Sequence, residues 1–202
     1  MKKQATQEDL DYKLPRLKAL FQLQLKGLVD LFFADETGFN LTPNIPYGWQ
    51  KIGEQISFTT QRKQVQNTFG LLNVQTKALH TYSTKEKQMV NTQFVCQSID
   101  DFAKKICKPT VIILDNAPWH TSEEFMRNIS KWNDEKLYIF HLPKYSPHLN
   151  LIEPLWRQIK YKWLRPKDYN SKTALKKRIK FIFSNFGNLF DIKFSMNFFL
   201  NL

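Results

Sequence analysis

The sequence predicts a mixed α/β layer, a sheet with helices packed against its faces, and three observations carry that prediction. Residues 110–114 (TVIIL) form an unbroken apolar run of the kind a strand buried on both faces requires. Apolar residues recur every three to four positions over 89–106 and again after Asn150, the spacing of a helix with one buried stripe. Residues 45–82 break up differently, into short β-branched and aromatic pieces separated by polar turns. The resulting order, strand, meander, helix, strand, helix, strand, helix, places helices on the sheet faces.

Over residues 8–25, Leu10, Leu14, Leu17, Leu20, Phe21 and Leu25 make one helical stripe, and Pro15 either kinks that lead-in helix or marks its true start. Residues 28–34 (LVDLFFA) read as a buried strand that leaves the sheet at Asp35-Glu36-Thr37-Gly38, where polar residues and a glycine begin. IPYGWQKIG, QISFTTQ, NTFGLLNV and KALHTYS continue it as an antiparallel meander. The next helix, 89–106, presents Phe94, Val95, Ile99, Phe102 and Ile106, with Cys96 inside it and Cys107 at its end. A helix before TVIIL implies a parallel crossover. Thr121-Ser-Glu-Glu124 matches a capping box and opens a helix to about Trp132, and 137–141 (LYIFH) is the following strand. After a loop over 143–147, Asn150 caps a helix whose apolar face is Ile152, Leu155, Trp156, Ile159 and Trp163. A last helix covers 172–183. The closing FGNLFDIKFSMNFFLNL has no clean period and is expected to be poorly ordered. The divisions are a lead-in helix (1–27), a central domain (28–165) and a basic helix with its tail (166–202).

With 202 residues, 42% hydrophobic and 14% aromatic, the chain has enough apolar material for a sizeable core. A net charge of +12 favours a polyanionic partner such as DNA or RNA. No apolar stretch approaches the roughly 18 residues of a membrane span, and MKKQATQEDLDYK lacks the apolar core of a signal peptide. These features predict a soluble cytoplasmic protein with reduced, structural cysteines.

Three acids stand out by context: Asp35 in LFFADETGFN, Asp115 in VIILDNAPWH and Glu153 in LPKYSPHLNLIEPLWRQIK. Two follow apolar strands and one lies just inside a helix. Acids at the carboxyl ends of neighbouring strands converge at a sheet edge. Close carboxylates repel unless a cation neutralises them, and hard oxygen ligands select Mg²⁺ or Mn²⁺. Three such groups match a two-metal site for phosphodiester cleavage. Plainer roles exist for each. Glu153, three residues after Asn150, fits the acid of a capping box, and the two aspartates fit ordinary turns.

Glu36 follows Asp35 and points the opposite way, which suits a hydrogen-bonding role. Asn116 and His120 lie just past Asp115, with His120 a candidate for phosphate contact or for support of the acids. Tyr47, Gly48 and Trp49 offer a turn and a stacking surface for bases. Lys144, Tyr145, His148, Asn150, Arg157 and Lys160 surround the third acid as candidates for DNA contact or support. The basic series Lys160, Lys162, Arg165, Lys167, Lys172, Lys176, Lys177, Arg178 and Lys180 can track phosphates or form a solvated helix face.

FADETGFN with YGWQKIGE, then VIILDNAPWHTS, then LPKYSPHLNLIEPLWRQIKYKW, in that order over residues 28–165, resemble the DDE endonuclease domain of insertion-sequence transposases of the mariner-like superfamily. The resemblance implies a ribonuclease-H-like fold, a mixed five-stranded sheet with helices on both faces. It also implies two Mg²⁺ ions, with Mn²⁺ as substitute, held by Asp35, Asp115 and Glu153 as catalytic and metal-binding residues. The implied reaction cuts transposon ends and joins them to target DNA at a TA dinucleotide, within a homodimer that pairs two ends and associates with the nucleoid. The family usually carries helix-turn-helix modules before this domain. The segment ahead of Asp35 is too short for one, so a separate N-terminal DNA-recognition polypeptide is an expected partner. His148 stands where the family often has an acid. The competing readings are an inactive DNA-binding or dimerisation fragment of a decayed element, and a ribonuclease on the same scaffold.

Overall fold

The computed structural model describes residues 5–43, 51–53, 64–85 and 88–194. Five strands form one sheet in the order β3-β2-β1-β4-β5: β1 (Asp30–Asn40), β2 (Gln64–Leu72), β3 (Leu79–Ser83), β4 (Thr110–Leu114) and β5 (Leu137–His141). β1, β2 and β3 are antiparallel neighbours, whereas β4 and β5 run parallel to β1. The mixed sheet with helices on both faces is therefore present, and β4 and β5 occupy the predicted residues. Of the four pieces of the predicted meander, NTFGLLNV and KALHTYS supply β2 and β3, while most of IPYGWQKIG and all of QISFTTQ lie outside the described residues.

β1 departs from expectation in a way that matters. It does not leave the sheet at Asp35 but continues to Asn40, because β2 pairs with it from Phe33↔Leu72 out to Asn40↔Gln64. Its parallel neighbour β4 matches only Asp30 to Phe33. Asp35 therefore lies inside a strand, on the part of β1 that has outrun β4.

Strand alternation sorts the core into two layers. Leu31 and Phe33 of β1, with Val111 and Ile113 of β4, face a cluster built from α1 (Gln7–Leu25), α4 (Ile152–Gln158) and α5 (Lys172–Ser184). Phe32 and Ala34, with Ile112 and Leu114, face α2 (Thr92–Ala103) and α3 (Glu123–Asp134). The lead-in helix is part of this core. Leu17 and Phe21 are fully buried, each contributing about 1.5–3 kcal/mol of transfer free energy. α1 also runs unbroken through Pro15 from a Thr6 cap, so the proline does not mark its start.

Other boundaries shift for local reasons. α2 ends at Ala103, which leaves Cys107 exposed beyond the helix while Cys96 is buried; both thiols are free. α3 is capped by Ser122, whose side chain accepts from the Phe125 amide, and the Thr121 hydroxyl turns back to the Ala117 carbonyl. α4 passes into a π-helical turn over Ile159–Trp163, closed by the Leu164 amide on the Ile159 carbonyl at 3.0 Å. The predicted C-terminal helix is α5, and of the tail expected to be poorly ordered the described part packs Phe186 and Phe190 against Trp163, while residues 195–202 lie outside the described residues. No described helix is long and apolar enough to cross a membrane.

Candidate active site

The same alternation that builds the core aims the acids. On β1, Asp35 continues the row Leu31 and Phe33 and so faces α4, while Glu36 continues Phe32 and Ala34 and faces the opposite layer. Just past β4, Asp115 follows Val111 and Ile113 and so continues the row opposite Leu31 and Phe33, two positions beyond the last matched pair, Phe33↔Ile113. Glu153 comes from the first turn of α4, on the side of the sheet that Asp35 faces.

α4 reaches the sheet closely because its seat is a glycine. Gly70 lies opposite Asp35 in β2. A Cβ there would stand 2.5 Å from Trp156 Cη2 and 3.1 Å from Ile152 Cδ1. The bare backbone lets the Trp156 ring lie on β2 and brings the start of α4 down beside Asp35.

Burial, and then the charges of Glu36, Glu153 and Asp115, push the Asp35 carboxyl well above the ordinary aspartate range. Those acids therefore share one electrostatic neighbourhood. Lys160, about two turns along from Glu153, has its ammonium pulled down by burial, against the favourable fields of Asp35 and Glu153. A cleft of about 520 Å³ opens beside them, lined by Asp115, Asn116, Lys144, Tyr145, Asn150 and Glu153 among others.

Among the described residues, no three His, Cys, Asp or Glu side chains are already gathered as an ion's ligand set. Asp115 is engaged by its own neighbours. Its Oδ1 accepts from the Ala117 amide and meets His120 Nδ1, both at 2.9 Å, while His120 Nε2 meets Glu36 Oε1 at 2.9 Å. His120 is fully buried. Burial works against its imidazolium, but the bonds to Asp115 and Glu36 prevail and raise it to about 9. Burial likewise raises Asp115, and the His120 bond overcomes that and holds it below the usual carboxylate range. The donor set still suits a hard divalent cation: all three ligands are carboxylates, and Asp35 is costly to ionise until a positive charge is near it.

This bridge gives the ion-free protein a pH signature. Because the folded His120 value lies above the imidazole value of 6.5, its stabilisation is fully present below pH 6.5 and is lost as pH rises through about 9. His120→Ala is expected to destabilise the chain by roughly 2–3 kcal/mol near neutral pH. Urea unfolding followed across this range should show the native and variant curves converging at the alkaline end.

The remaining candidates fall into place unevenly. Glu36 takes the predicted hydrogen-bonding role. Asn116 Nδ2 donates to the Leu142 carbonyl at 2.6 Å, where Lys13 Nζ of α1 also donates at 3.0 Å. Asn150 does not cap α4; that helix begins after Leu151 with no side-chain cap, and Asn150 Nδ2 instead donates to the Ala34 carbonyl at 3.0 Å. The capping-box explanation of Glu153 therefore fails. Lys144 and Tyr145 are exposed on the cleft rim, His148 is exposed beside them, and Arg157 lies in a separate groove with Tyr161 and Lys162. Arg178 is occupied within the fold, donating to the Trp163 carbonyl at 3.1 Å and facing Asp168 at 3.6 Å. Tyr47, Gly48 and Trp49 lie outside the described residues. Lys13 and Gly70 were not anticipated. The Asp9–Lys13 spacing on α1 was the only local sign of the first, and nothing local marks the second.

A family profile described as DDE superfamily endonuclease matches residues 30–176. Among solved structures, the Mos1 strand transfer complex is similar over 98% of this chain and 58% of its own, with TM-score 0.61 and 14% identity. The catalytic domain of Mos1 mariner transposase is covered more completely, 100% of this chain and 89% of that one, with TM-score 0.57 and 13% identity. A simian T-cell lymphotropic virus intasome gives TM-score 0.51 at 14% identity, over 77% of this chain and 49% of that one. These likenesses establish the ribonuclease-H-like fold. The chain spans less than three fifths of the Mos1 chain in the strand transfer complex. No curated protein matches it in sequence.

Proposed function

Because the chain belongs to the DDE superfamily endonuclease family, we propose that it is the catalytic part of a transposase, cutting DNA at transposon ends and transferring the cut strand to a target. What supports this reading is that Asp115 and Glu153 line one cleft while Asp35, on the strand beside β4, lies within the electrostatic reach of both. Asp35, Asp115 and Glu153 would hold Mg²⁺ or Mn²⁺, two ions in the full site. The bound ions would supply Lewis-acid activation of a water or 3′-hydroxyl and stabilisation of the departing 3′-oxygen. Related solved complexes of Mos1 include paired-end forms with Mn and with Mg.

The protein's own groups do the rest. Asp35 and Glu153 set the negative field of the site, and Lys160, half-buried between that field and the surface, contributes a cation on the approach of a phosphate. Lys144, Tyr145 and His148 line the rim along which a strand would pass. The exposed Lys162, Arg165, Lys167, Lys177 and Lys180 extend positive charge beyond it. Paired-end and strand transfer complexes of Mos1 favour an assembly that pairs two DNA ends; a homodimer, a TA-type target and a nucleoid setting are part of the same proposal. A separate polypeptide for end recognition completes the proposal.

The test is a nicking assay in Mg²⁺ on DNA carrying the flanking inverted repeats, with single-stranded ends, non-cognate duplex and RNA–DNA hybrid as alternatives. Nicking of repeat-bearing DNA with a free 3′-hydroxyl supports a transposase. Cleavage confined to the hybrid would assign the scaffold to a ribonuclease, and DNA binding without cleavage to an inactive fragment.

A further inference from the structure

We propose that Asn150 is a positioning residue that sets the spacing between the first and third acids, an inference that rests on the divalent-ion reading above. Its Nδ2 donates to the carbonyl of Ala34, the residue directly before Asp35, at 3.0 Å. Its own main-chain carbonyl accepts from the Glu153 amide at 3.1 Å. One residue thus ties together the two chain segments that carry Asp35 and Glu153. It does so where ordinary sheet pairing has run out, since β4 stops matching β1 at Phe33. The short loop that carries it is fixed from behind by the Asn150 amide on the Pro147 carbonyl at 2.9 Å.

A second observation separates this role from packing. Asn150 is 2% exposed and Oδ1 has no hydrogen-bond partner, although leaving a buried acceptor unpaired costs about 1–3 kcal/mol. A leucine of similar size would fill the space without that cost. The residue also lines the same cleft as Asp115 and Glu153. Its side-chain nitrogen and its main-chain carbonyl together fix Asp35 relative to Glu153 at the wall of the cleft.

The experiment uses the full chain without DNA and measures Mn²⁺ binding through the electron paramagnetic resonance signal of the free ion, at a temperature where every variant is folded. Asn150→Leu removes the donor and the acceptor but keeps the volume. Ile152→Val trims packing in the same turn and leaves the amide intact. Asn150→Leu is expected to weaken Mn²⁺ binding at least tenfold, the scale of losing a group that orients metal ligands, while Ile152→Val leaves it within about twofold. Should the leucine variant not fold, Asn150→Ser, too short to bridge to Ala34, gives the same readout. Native-like Mn²⁺ binding by the Asn150 variant, or equal weakening by Ile152→Val, overturns the inference while the ion reading survives. Failure of the native chain to bind Mn²⁺ overturns both.

Discussion

Replacing Glu153 with glutamine is expected to lower Mg²⁺-dependent strand cleavage about a thousandfold, with the fold left intact. The magnitude follows from losing one anionic ligand of an ion that contributes several kcal/mol to the transition state, each 1.36 kcal/mol being a factor of about ten in rate. The fold survives because Glu153 holds no structural partner that glutamine would abandon: Asn150 is engaged with Ala34 rather than with a capping box. Only a first-turn dipole contribution is lost, about 0.3–1 kcal/mol. A side effect identifies the cause. Removing one of the charges that hold the Asp35 carboxyl up should bring its titration toward the ordinary range, readable by carbon-detected NMR. Asp115→Asn should lose activity equally while keeping an oxygen for the Ala117 amide, and His120 should then titrate lower because one of its two anionic partners is gone. A variant that cleaves at the native rate would remove its residue from the chemistry.

Gly70→Ala is expected to be the most damaging single methyl group in the sheet. The new Cβ would meet Trp156 Cζ2 at 2.6 Å and Cη2 at 2.5 Å. Neither side yields easily: Gly70 is held in register between β1 and β3, and Trp156 is 4% exposed and packed against Phe183. Relief requires α4 to lift, and Glu153 sits at the end that would move. Overpacking of this kind costs about 1–3 kcal/mol or more, a fall in melting temperature of roughly 5–10 °C for a chain of this size. Displacing a catalytic group by about 1 Å costs near a hundredfold in rate. Thermal unfolding and the nicking rate should fall together, and adding Trp156→Leu should recover stability more than activity, since it makes room without restoring the seat of α4. An unchanged melting temperature in Gly70→Ala would show that α4 is not braced on that glycine.

How much of this was legible in the sequence depended on the range of the interaction. β4 and β5 read to the residue because a short apolar run states its own limits. The facing of Asp35 followed from alternation alone, as did the turning away of Glu36. The end of β1 was misjudged, because Asp-Glu-Thr-Gly looks like an exit and only the distant β2, pairing as far as Gln64, keeps those residues in the sheet. Asn150 was misread for a similar reason. Locally it fits a cap, but Ala34, 116 positions away, takes its side chain. The His120 bridge between Glu36 and Asp115 joins residues 84 positions apart on one side and five on the other, and only the nearer half could be glimpsed as a motif. Gly70 carried no signal at all, since a glycine in a strand announces a close approach without naming what approaches.

We propose that the carboxylates of Asp35, Asp115 and Glu153, on β1, just past β4 and on α4, hold a divalent ion between them. Crystals grown with Mn²⁺ and measured at its absorption edge test it most directly. The account predicts an anomalous peak about 2.1 Å from oxygens of Asp35 and Asp115, with Glu153 completing the site. Peaks confined to other surface carboxylates at saturating Mn²⁺ would contradict it.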